Sequence, residues 1–507
     1  MPAPSDISER SQLDPRRWRA LAFIAIAQLM VVLDATIVNI ALPSAQADLG
    51  ITDGNRQWVV TAYALAFGGL LLLGGRIADM WGRKRTFLAG LVGFALASAL
   101  GGAAVNEIML YASRALQGAF GALLAPAALS LLSVTFADGK ERARAFGIFG
   151  AIAGGGAAVG LTLGGLLTEY LDWRWVFYVN IPIAAVAVLG GTAQIRDRGD
   201  RNRSPLDIPG VVLGTLGLVS LVYGFTRAES HGWTDSFTLT AFGAAIVLLG
   251  AFILVERRTS APLLPMRVVL DRNRGGVYLA LGLAVIAMFG LFLFLTYYMQ
   301  IVKGYSPVRT GVAFLPTVVG MVTGSTQIGA RLMTRVPARY LMGPGLLTAA
   351  TAMLILTQLT PDSSYVGVLL PAQLLLGLGM GTTFMPAMSL ATYGVEPRDA
   401  GIASAMINTS QQVGGAIGVA LLNTIAASAT ASYLAANLSG AAAPELVQLQ
   451  AMVQGFTAAI WWAVGILVVA AAIAFTFITA GTPAAREVRA EADGGSDEGE
   501  PAPVLAH

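Results

Sequence analysis

Fourteen runs of apolar residues, each long enough to cross a lipid bilayer, constrain this 507-residue chain more than any single motif in it. A transmembrane helix needs about 20 mostly apolar residues to cover the hydrocarbon layer. Such runs are centred near Met30, Phe67, Phe94, Leu123, Val159, Val186, Leu216, Ile246, Gly290, Met321, Thr351, Gly379, Gly415 and Val468. Lipid offers the backbone no hydrogen-bond partners, so each run must satisfy its own N–H and C=O groups as a helix. Charge is correspondingly scarce: 12% of residues, where a soluble domain carries about 25%. The expected fold class is an all-α integral membrane protein. The first run is too long for a cleaved leader and has no small-residue cleavage site after it, so it is expected to remain as a span.

The basic residues set an orientation. With the N-terminus in the cytoplasm, 26 of the 32 Lys and Arg fall in inner segments. The outer loops then hold only Arg56, Arg174, Arg227, Lys303 and Arg309, and Arg114 lies inside a span. This positive-inside asymmetry predicts cytoplasmic termini and a multi-pass location in a bacterial cytoplasmic membrane. The same residues are scattered between oily segments rather than gathered in a stripe, so no nucleic-acid partner is expected. Residues 481–507 are acidic and Gly-rich and read as a disordered tail.

Several chemistries are excluded by what is missing. There is no cysteine, and the two histidines are His231 and His507, so neither a thiolate nor a His-cluster metal site is expected. No GxxxxGK[ST] loop, HExxH or GxSxG with partners occurs, and no paired intramembrane carboxylates are apparent. The expectation is a secondary transporter without cofactor or metal, working as a monomer, rather than an enzyme.

The chain also echoes itself, as transporters built from repeated halves do. "LQGAFGALLAPAALSLL" has a counterpart in "LLGLGMGTTFMPAMSLA", with Gly121 and Pro126 matching Gly381 and Pro386. "GGRIADMWGRKR" has a worn counterpart in "GARLMTRVPARY", in which Met333 stands where Asp79 would. These pairs match span two with ten and span four with twelve. Two six-helix halves would pair two with eight, so two extra spans lie between them. The predicted division is a cytoplasmic segment 1–17, a six-helix bundle 18–195, a linker 196–206, two inserted transmembrane helices 207–255, a linker 256–275, a second six-helix bundle 276–480 and the tail 481–507.

Two charges stand inside spans. Asp34, in "AQLMVVLDATIVNIALP", is a functional candidate because a bare carboxylate there is costly. It precedes Pro43, the expected outward end of the first span, by nine residues, or about 13 Å. Arg114 follows Glu107, the entry to the fourth span, by seven residues, or about 10 Å. The two opposite charges therefore occupy one layer. A carboxylate whose proton affinity answers to a nearby cation and to hydration can carry protons. A permanent ion pair locking two helices is the structural alternative.

Polar residues elsewhere in spans are candidates for a substrate cavity: Gln28, Asn39, Tyr63, Asn180, Tyr297, Tyr298, Gln327, Asn408 and Gln411, with Gln300, Gln412 and Asn423 beside them. Each serves equally well as an interhelical hydrogen bond. No second acid sits mid-span, which favours lipophilic substrates that are neutral, zwitterionic or singly charged.

The motifs carry a family resemblance. "GGRIADMWGRKR" resembles the loop signature between spans two and three of the major facilitator superfamily, through Gly75, Asp79, Gly82, Arg83, Lys84 and Arg85. "LDATIVNIALP" and "WRWVFYVNIPI" resemble its fourteen-span drug:proton antiporter branch, the EmrB/QacA type. "RALQGAFGALLAP" is similar to the fourth-span motif, whose arginine, here Arg114, is implicated in proton handling. "GIFGAIAGGGAAVGLTLGGLL" resembles the antiporter motif of span five, with Gly147, Gly156, Gly160, Gly164 and Gly165; Leu161 stands where the family usually has proline. The resemblance implies two bundles that rock about a central cavity, a cytoplasmic latch at Asp79 and the basic cluster, and proton-coupled efflux of drugs or antibiotics, with protons and membrane lipid as further partners. Export of lipids or glycolipids on the same scaffold is the alternative; a proton-coupled symporter fits the span-five motif less well.

Overall fold

The chain is described by a computed structural model that covers residues 16–136, 139–195, 207–259, 262–333, 335–392, 400–437 and 443–481. Most of the N-terminal segment, the 196–206 linker and nearly all of the tail fall outside the described residues. Every element among those described is helical.

The first half comprises α1 (Arg16–Leu49), α2 (Trp58–Trp81), α3 (Arg83–Gly102), α4 (Glu107–Thr135), α5 (Gly139–Tyr170), the short α6 (Trp175–Tyr178) and α7 (Asn180–Gln194). A hairpin of α8 (Ile208–His231) and α9 (Ser236–Arg258) follows. After the short α10 (Met266–Val269) come α11 (Arg272–Tyr297), α12 (Pro307–Ala313), α13 (Leu315–Thr323), α14 (Ala330–Leu332), α15 (Arg339–Leu356), α16 (Leu370–Thr392), α17 (Ala400–Asn437) and α18 (Pro444–Phe477). Among the described residues, twelve helical stretches are long and apolar enough to cross a membrane. A shorter apolar stretch, Trp58–Leu71, lies in α2, and α5 is 32 residues long. The arrangement is that of an all-helical multi-pass membrane protein.

Helix starts are fixed by side chains that accept from orphan backbone N–H groups. Asn106 accepts from Met109, Asp207 from Gly210, Asp271 from Arg274 and Ser306 from Arg309. Each such cap contributes about 1 kcal/mol. Between α2 and α3 the whole connection is Gly82, whose φ of 105° only glycine adopts without strain.

Pro43, read as the outward end of the first span, lies inside a longer helix. α1 runs through it to Leu49, so the first helix extends past the expected exit. Three π-turns interrupt the second half, at Tyr298–Val302, Gly324–Gly329 and Tyr365–Leu369. Such turns re-aim the residues they hold; these hold Tyr298, Gln300 and Gln327.

The two halves are built on the same contact. In α2 and α4, a Cβ on Gly118 would lie 2.3 Å from the Tyr63 carbonyl oxygen, and one on Gly74 would lie 1.9 Å from that of Ala122. In α13 and α16, a Cβ on Gly377 would lie 2.0 Å from the Thr317 oxygen, and one on Gly381 would lie 2.1 Å from that of Met321. Small residues let backbones approach this closely where lipid provides no hydrophobic drive. The repeated "G…P" segments are therefore the helices α4 and α16, each seated by glycine on its partner.

The α8–α9 hairpin lies against the seam of the halves. Val222 of α8 is buried with Ala64 and Leu65 of α2 and with Ala416 and Ala420 of α17. Thr424 of α17 donates its hydroxyl to the Phe225 carbonyl at 2.9 Å. α9 closes onto α8 through the edge-on rings of Phe225 and Phe242, 5.1 Å apart.

Gly74→Ala and Gly377→Ala should each destabilise the purified protein by about 1–3 kcal/mol through overpacking. Gly465→Ala, at a site with open space, should leave stability unchanged. Thermal unfolding in detergent checks this, and equal melting temperatures for all three variants contradict it.

Candidate functional site

Asp34 sits near the middle of α1, wholly buried, and takes its donors from two other helices. Arg114 Nη1 donates to Asp34 Oδ2 at 2.6 Å. Gln117 Nε2 and Asn180 Nδ2 donate to Oδ1 at 2.8 and 2.9 Å. Arg114 and Gln117 come from α4, where a spacing of three puts them on one face; Asn180 opens α7. Arg114 also donates Nε to the Val59 carbonyl at 2.8 Å and Nη1 to Gln117 Oε1 at 2.8 Å. Its guanidinium lies 4.4 Å from the centroid of the Tyr63 ring. Ser98 of α3 completes the group, accepting from Gln117 at 2.7 Å and from Asn180 at 3.3 Å. Two polar atoms here have no partner, Tyr63 Oη and Asn180 Oδ1.

The arrangement makes physical sense as a charge site. A buried ion pair is tolerated only when further hydrogen bonds satisfy the remaining lone pairs. Three donors and a stacked ring meet that condition. What the cluster can do follows from its geometry: acid and cation sit on different helices, so a shift of α1 against α4 changes their contact.

The glycines of α5 lie against the same helix. A Cβ on Gly156 would come within 3.0 Å of Val32, one on Gly160 within 2.0 Å of the Thr36 hydroxyl, and one on Gly164 within 2.9 Å of the Ile37 carbonyl. Gly165 turns instead to α12, where a Cβ would lie 2.6 Å from the Pro307 carbonyl oxygen. α5 is continuous through Leu161, whose carbonyl oxygen is the surface on which Gly311 rests. The surroundings of Gly147 fall outside the described residues.

A second polar cluster joins the halves at the end of the molecule where α1 finishes. Arg56, 5% exposed, donates to Asp53 at 3.2 Å and to Asn423 of α17 at 3.3 Å. Its guanidinium lies 4.0 Å over the Tyr297 ring. Tyr297 donates its hydroxyl to Gln46, and Gln300 donates to the Ile40 carbonyl at 2.9 Å. Glu169 accepts from the Val308 N–H at 2.9 Å.

At the opposite end stands the α2–α3 loop. Gly75 faces Pro126 of α4 in ordinary contact. Lys84 Nζ donates to the Thr192 carbonyl near the end of α7 at 2.9 Å, where a cation suits the helix dipole. Arg76 Nη2 donates to the Pro262 carbonyl at 2.7 Å. Arg83 and Arg85 flank Lys84 at the start of α3, Arg83 partly buried and Arg85 exposed. The Asp79 side chain falls outside the described residues.

The proposed cavity residues separate into groups. Tyr63 and Asn180 belong to the Asp34 cluster, and Tyr297, Gln300 and Asn423 to the clamp between the halves. Asn39 is bonded to its own helix at the Ala35 carbonyl, 3.1 Å away. Tyr298 donates to the Thr360 carbonyl at 2.7 Å, and Gln327 is exposed. Gln28, Asn408 and Gln411 are partly buried. Gln412 places its Cβ where a side chain on Gly68 would have to go, 2.9 Å away. Sequence reasoning missed Gln117, Ser98 and Arg56. The i, i+3 spacing of Gln117 from Arg114 is the signal that would have found the first.

Helices long and apolar enough to cross a bilayer, halves seated on glycine contacts and a buried acid–base cluster are the build of a multi-pass membrane transporter. The chain belongs to the Major Facilitator Superfamily, whose profile matches residues 24–419. It is 55% identical over 476 residues to the puromycin resistance protein of Streptomyces alboniger, covering 94% of each chain. It is 41% identical to the cephamycin export protein of Amycolatopsis lactamdurans, over 81% of this chain and 85% of that one. Tetracenomycin C resistance and export protein of Streptomyces glaucescens is 34% identical, over 82% and 77% of the respective chains. Among solved structures, a bacterial homologue of the human lysosomal transporter Spinster superposes with a TM-score of 0.64 at 17% identity, covering 91% of this chain and 97% of that one. An auto-inhibited POT family peptide transporter gives 0.65 at 15% identity, covering 92% and 98%. At these identities the structures share the fold alone.

Arg114→Met should cost about 3–5 kcal/mol by leaving a buried carboxylate without its cation. Asp34→Asn combined with Arg114→Met should recover part of that loss, read from chemical unfolding in detergent; a double variant as unstable as the sum of the singles contradicts it. Removing the clamp cation in Arg56→Ala forfeits a charged hydrogen bond worth about 1.5–3 kcal/mol, so amide exchange at 52–57 should accelerate roughly ten- to a hundredfold while α3 is unaffected. Exchange mass spectrometry checks this.

Proposed function

We propose that the protein exports lipophilic antibiotics or drugs from the cytoplasm in exchange for protons, by alternating access. Support comes first from the Asp34–Arg114 contact, a buried acid held by a cation on a different helix. It comes also from relatives whose names record antibiotic resistance and export. The proposed topology has fourteen spans: the twelve stretches above, α2 and α5. Both termini are in the cytoplasm, and a single copy works.

In the proposed cycle, Arg114 holds Asp34 ionised while the two are in contact. Rearrangement toward the outside separates them, Asp34 takes a proton, and substrate leaves the cavity. The halves rock, contact with Arg114 is restored, and the proton is released inward. The proton gradient supplies the energy, with no nucleotide, metal or other cofactor. α5 and α1 slide or hinge along the glycine stripe, and the α2–α3 loop with Arg83, Lys84 and Arg85 latches the cytoplasmic side. The preferred substrates are neutral, zwitterionic or singly charged, since Asp34 is the single acid read as lying mid-span.

A second reading, export of lipids or glycolipids, is favoured by an apolar recess of about 470 Å³ on the outer face of α11 and α18, lined by Leu283, Trp461, Trp462 and Val469.

Inverted vesicles with an imposed pH gradient test these readings. Wild-type vesicles should accumulate puromycin or another lipophilic antibiotic. Asp34→Asn should insert normally yet accumulate none against a gradient. Uphill uptake by that variant at the wild-type rate removes Asp34 from the mechanism. Accumulation of a labelled lipid with no antibiotic uptake favours the second reading.

A further inference from the structure

The α8–α9 hairpin carries a pair of buried acids that the proposed cycle does not use. Asp207 caps α8, its Oδ1 accepting the Gly210 N–H at 2.9 Å. Glu256 stands at the far end of α9, its Oε2 accepting the Leu264 N–H at 2.9 Å. The two residues are 4% and 3% exposed. Each keeps one buried oxygen with no hydrogen-bond partner, Asp207 Oδ2 and Glu256 Oε1. Those two oxygens converge. A Cβ built on Gly210 would lie 2.7 Å from Asp207 Oδ2 and 2.6 Å from Glu256 Oε1, so both aim into the space that glycine leaves open.

Two carboxylates facing each other out of water cannot both remain ionised cheaply, because each lacks a donor and repels the other. One proton between them supplies the missing donor and removes a charge. Among the described residues the neighbouring groups offer no better partner. On α8 the facing acid is Asp207 itself, and on α9 Arg257 and Arg258 are exposed. The segment Pro262–Leu264 has no ionisable side chain. From α2, Arg76 engages the Pro262 carbonyl at 2.7 Å.

We propose that Asp207 and Glu256 form a second proton-binding site, holding one shared proton between Asp207 Oδ2 and Glu256 Oε1. The site sits at the end of the molecule that carries Gly82, on helices separate from those that hold Asp34. It does more than close the hairpin. Glu256 pins Leu264 through its backbone N–H, and Arg76 grips Pro262 in the same short segment, so the strap ties the hairpin to α2 just before the α2–α3 turn. With the proton bound, hairpin, strap and α2 form one connected unit. Without it, repulsion between the carboxylates parts the hairpin ends and loosens the strap. The inserted helices thereby acquire a role: they report protonation at this end of the molecule to the latch loop.

The test needs no transported substrate, so its outcome is independent of the export reading. On the full chain in lipid nanodiscs, infrared difference spectra taken as pH is raised should show the loss of a protonated-carboxyl C=O band. Glu256→Gln and Asp207→Asn should each lack that band, while Asp34→Asn retains it. The wild-type melting temperature should fall as pH rises through the same transition, because the folded chain holds a proton that the unfolded chain has already released. Glu256→Gln, whose amide donates to Asp207 at every pH, should flatten that fall. A band unchanged in both hairpin variants overturns the proposal. So do superimposable melting profiles for wild type and Glu256→Gln. A melting temperature raised by NaCl or MgCl2 in wild type but not in Asp207→Asn also overturns it, by assigning a metal cation in place of the proton.

Discussion

A carboxylate inside a lipid-embedded bundle must find all its donors in protein, and the packing around α1 follows from that demand. Asp34 is reached by Arg114 and Gln117 from α4 and by Asn180 from α7. To deliver them, α4 must present two polar residues on one face at one depth, and α7 must begin where its first residue meets α1. The short α6 fixes that beginning. It follows Trp173, whose indole donates to Asp48 at 3.2 Å, and Arg174, which pairs with Asp48 at 2.9 Å. The "WRWVFYVNIPI" segment is thus a bracket that ties the end of α1 to the start of α7 and sets Asn180 in place.

α1 has a second obligation on an adjacent face. Leu29, Val32, Leu33, Thr36 and Ile37 stand at i, i+3, i+4, i+7 and i+8, one helical stripe, and the α5 glycines lie along it. Contacts there are close but carry little directional bonding; even Thr36 turns its hydroxyl back to the Val32 carbonyl of its own helix. One face of α1 is held by short polar bonds and the next by smooth van der Waals contact. Such a helix moves along α5 far more cheaply than it parts from α4, because each broken charged bond leaves a buried group unsatisfied. The proposed proton site and the smooth glycine contact are consequently two faces of one element.

Much of this was legible in the sequence, for physical reasons. Spans declare themselves through length and apolarity, because lipid permits no other solution. Asp34 and Arg114 stood out because charges inside spans are rare and costly, and counting residues placed them in one layer. Asn180 and Tyr63 were visible as polar residues but not as partners of Asp34, since a neutral group in a span bonds equally well to any neighbour. Gln117 was hidden inside a motif read for its glycines. Arg56 counted only as a loop charge, although the fold buries it between the halves. Asp207 and Glu256 lie far apart along the chain at the rims of two spans, and only the closing of the hairpin brings them together.

The distribution of contacts along the seam between the halves bears on how they can move. At the end where α1 finishes, the seam is polar and directional: Arg56 to Asn423, Gln300 to Ile40, Glu169 to Val308. Midway along α2 and α17 it is made of Ala64, Leu65, Ala416 and Ala420, with Val222 of the hairpin laid across the join. Polar bonds of this kind either hold or break, each at about 1 kcal/mol or more when buried. Apolar contacts between small side chains instead change continuously with a shift of the helices and lose little over a small rotation. In the proposed alternation, a seam clasped at one end and smooth in the middle would open at the clasp and turn about the centre. The hairpin covers that centre rather than the clasp, so it stays seated on both halves through such a rotation, and its own ends, strapped to α2, are where the motion must be felt.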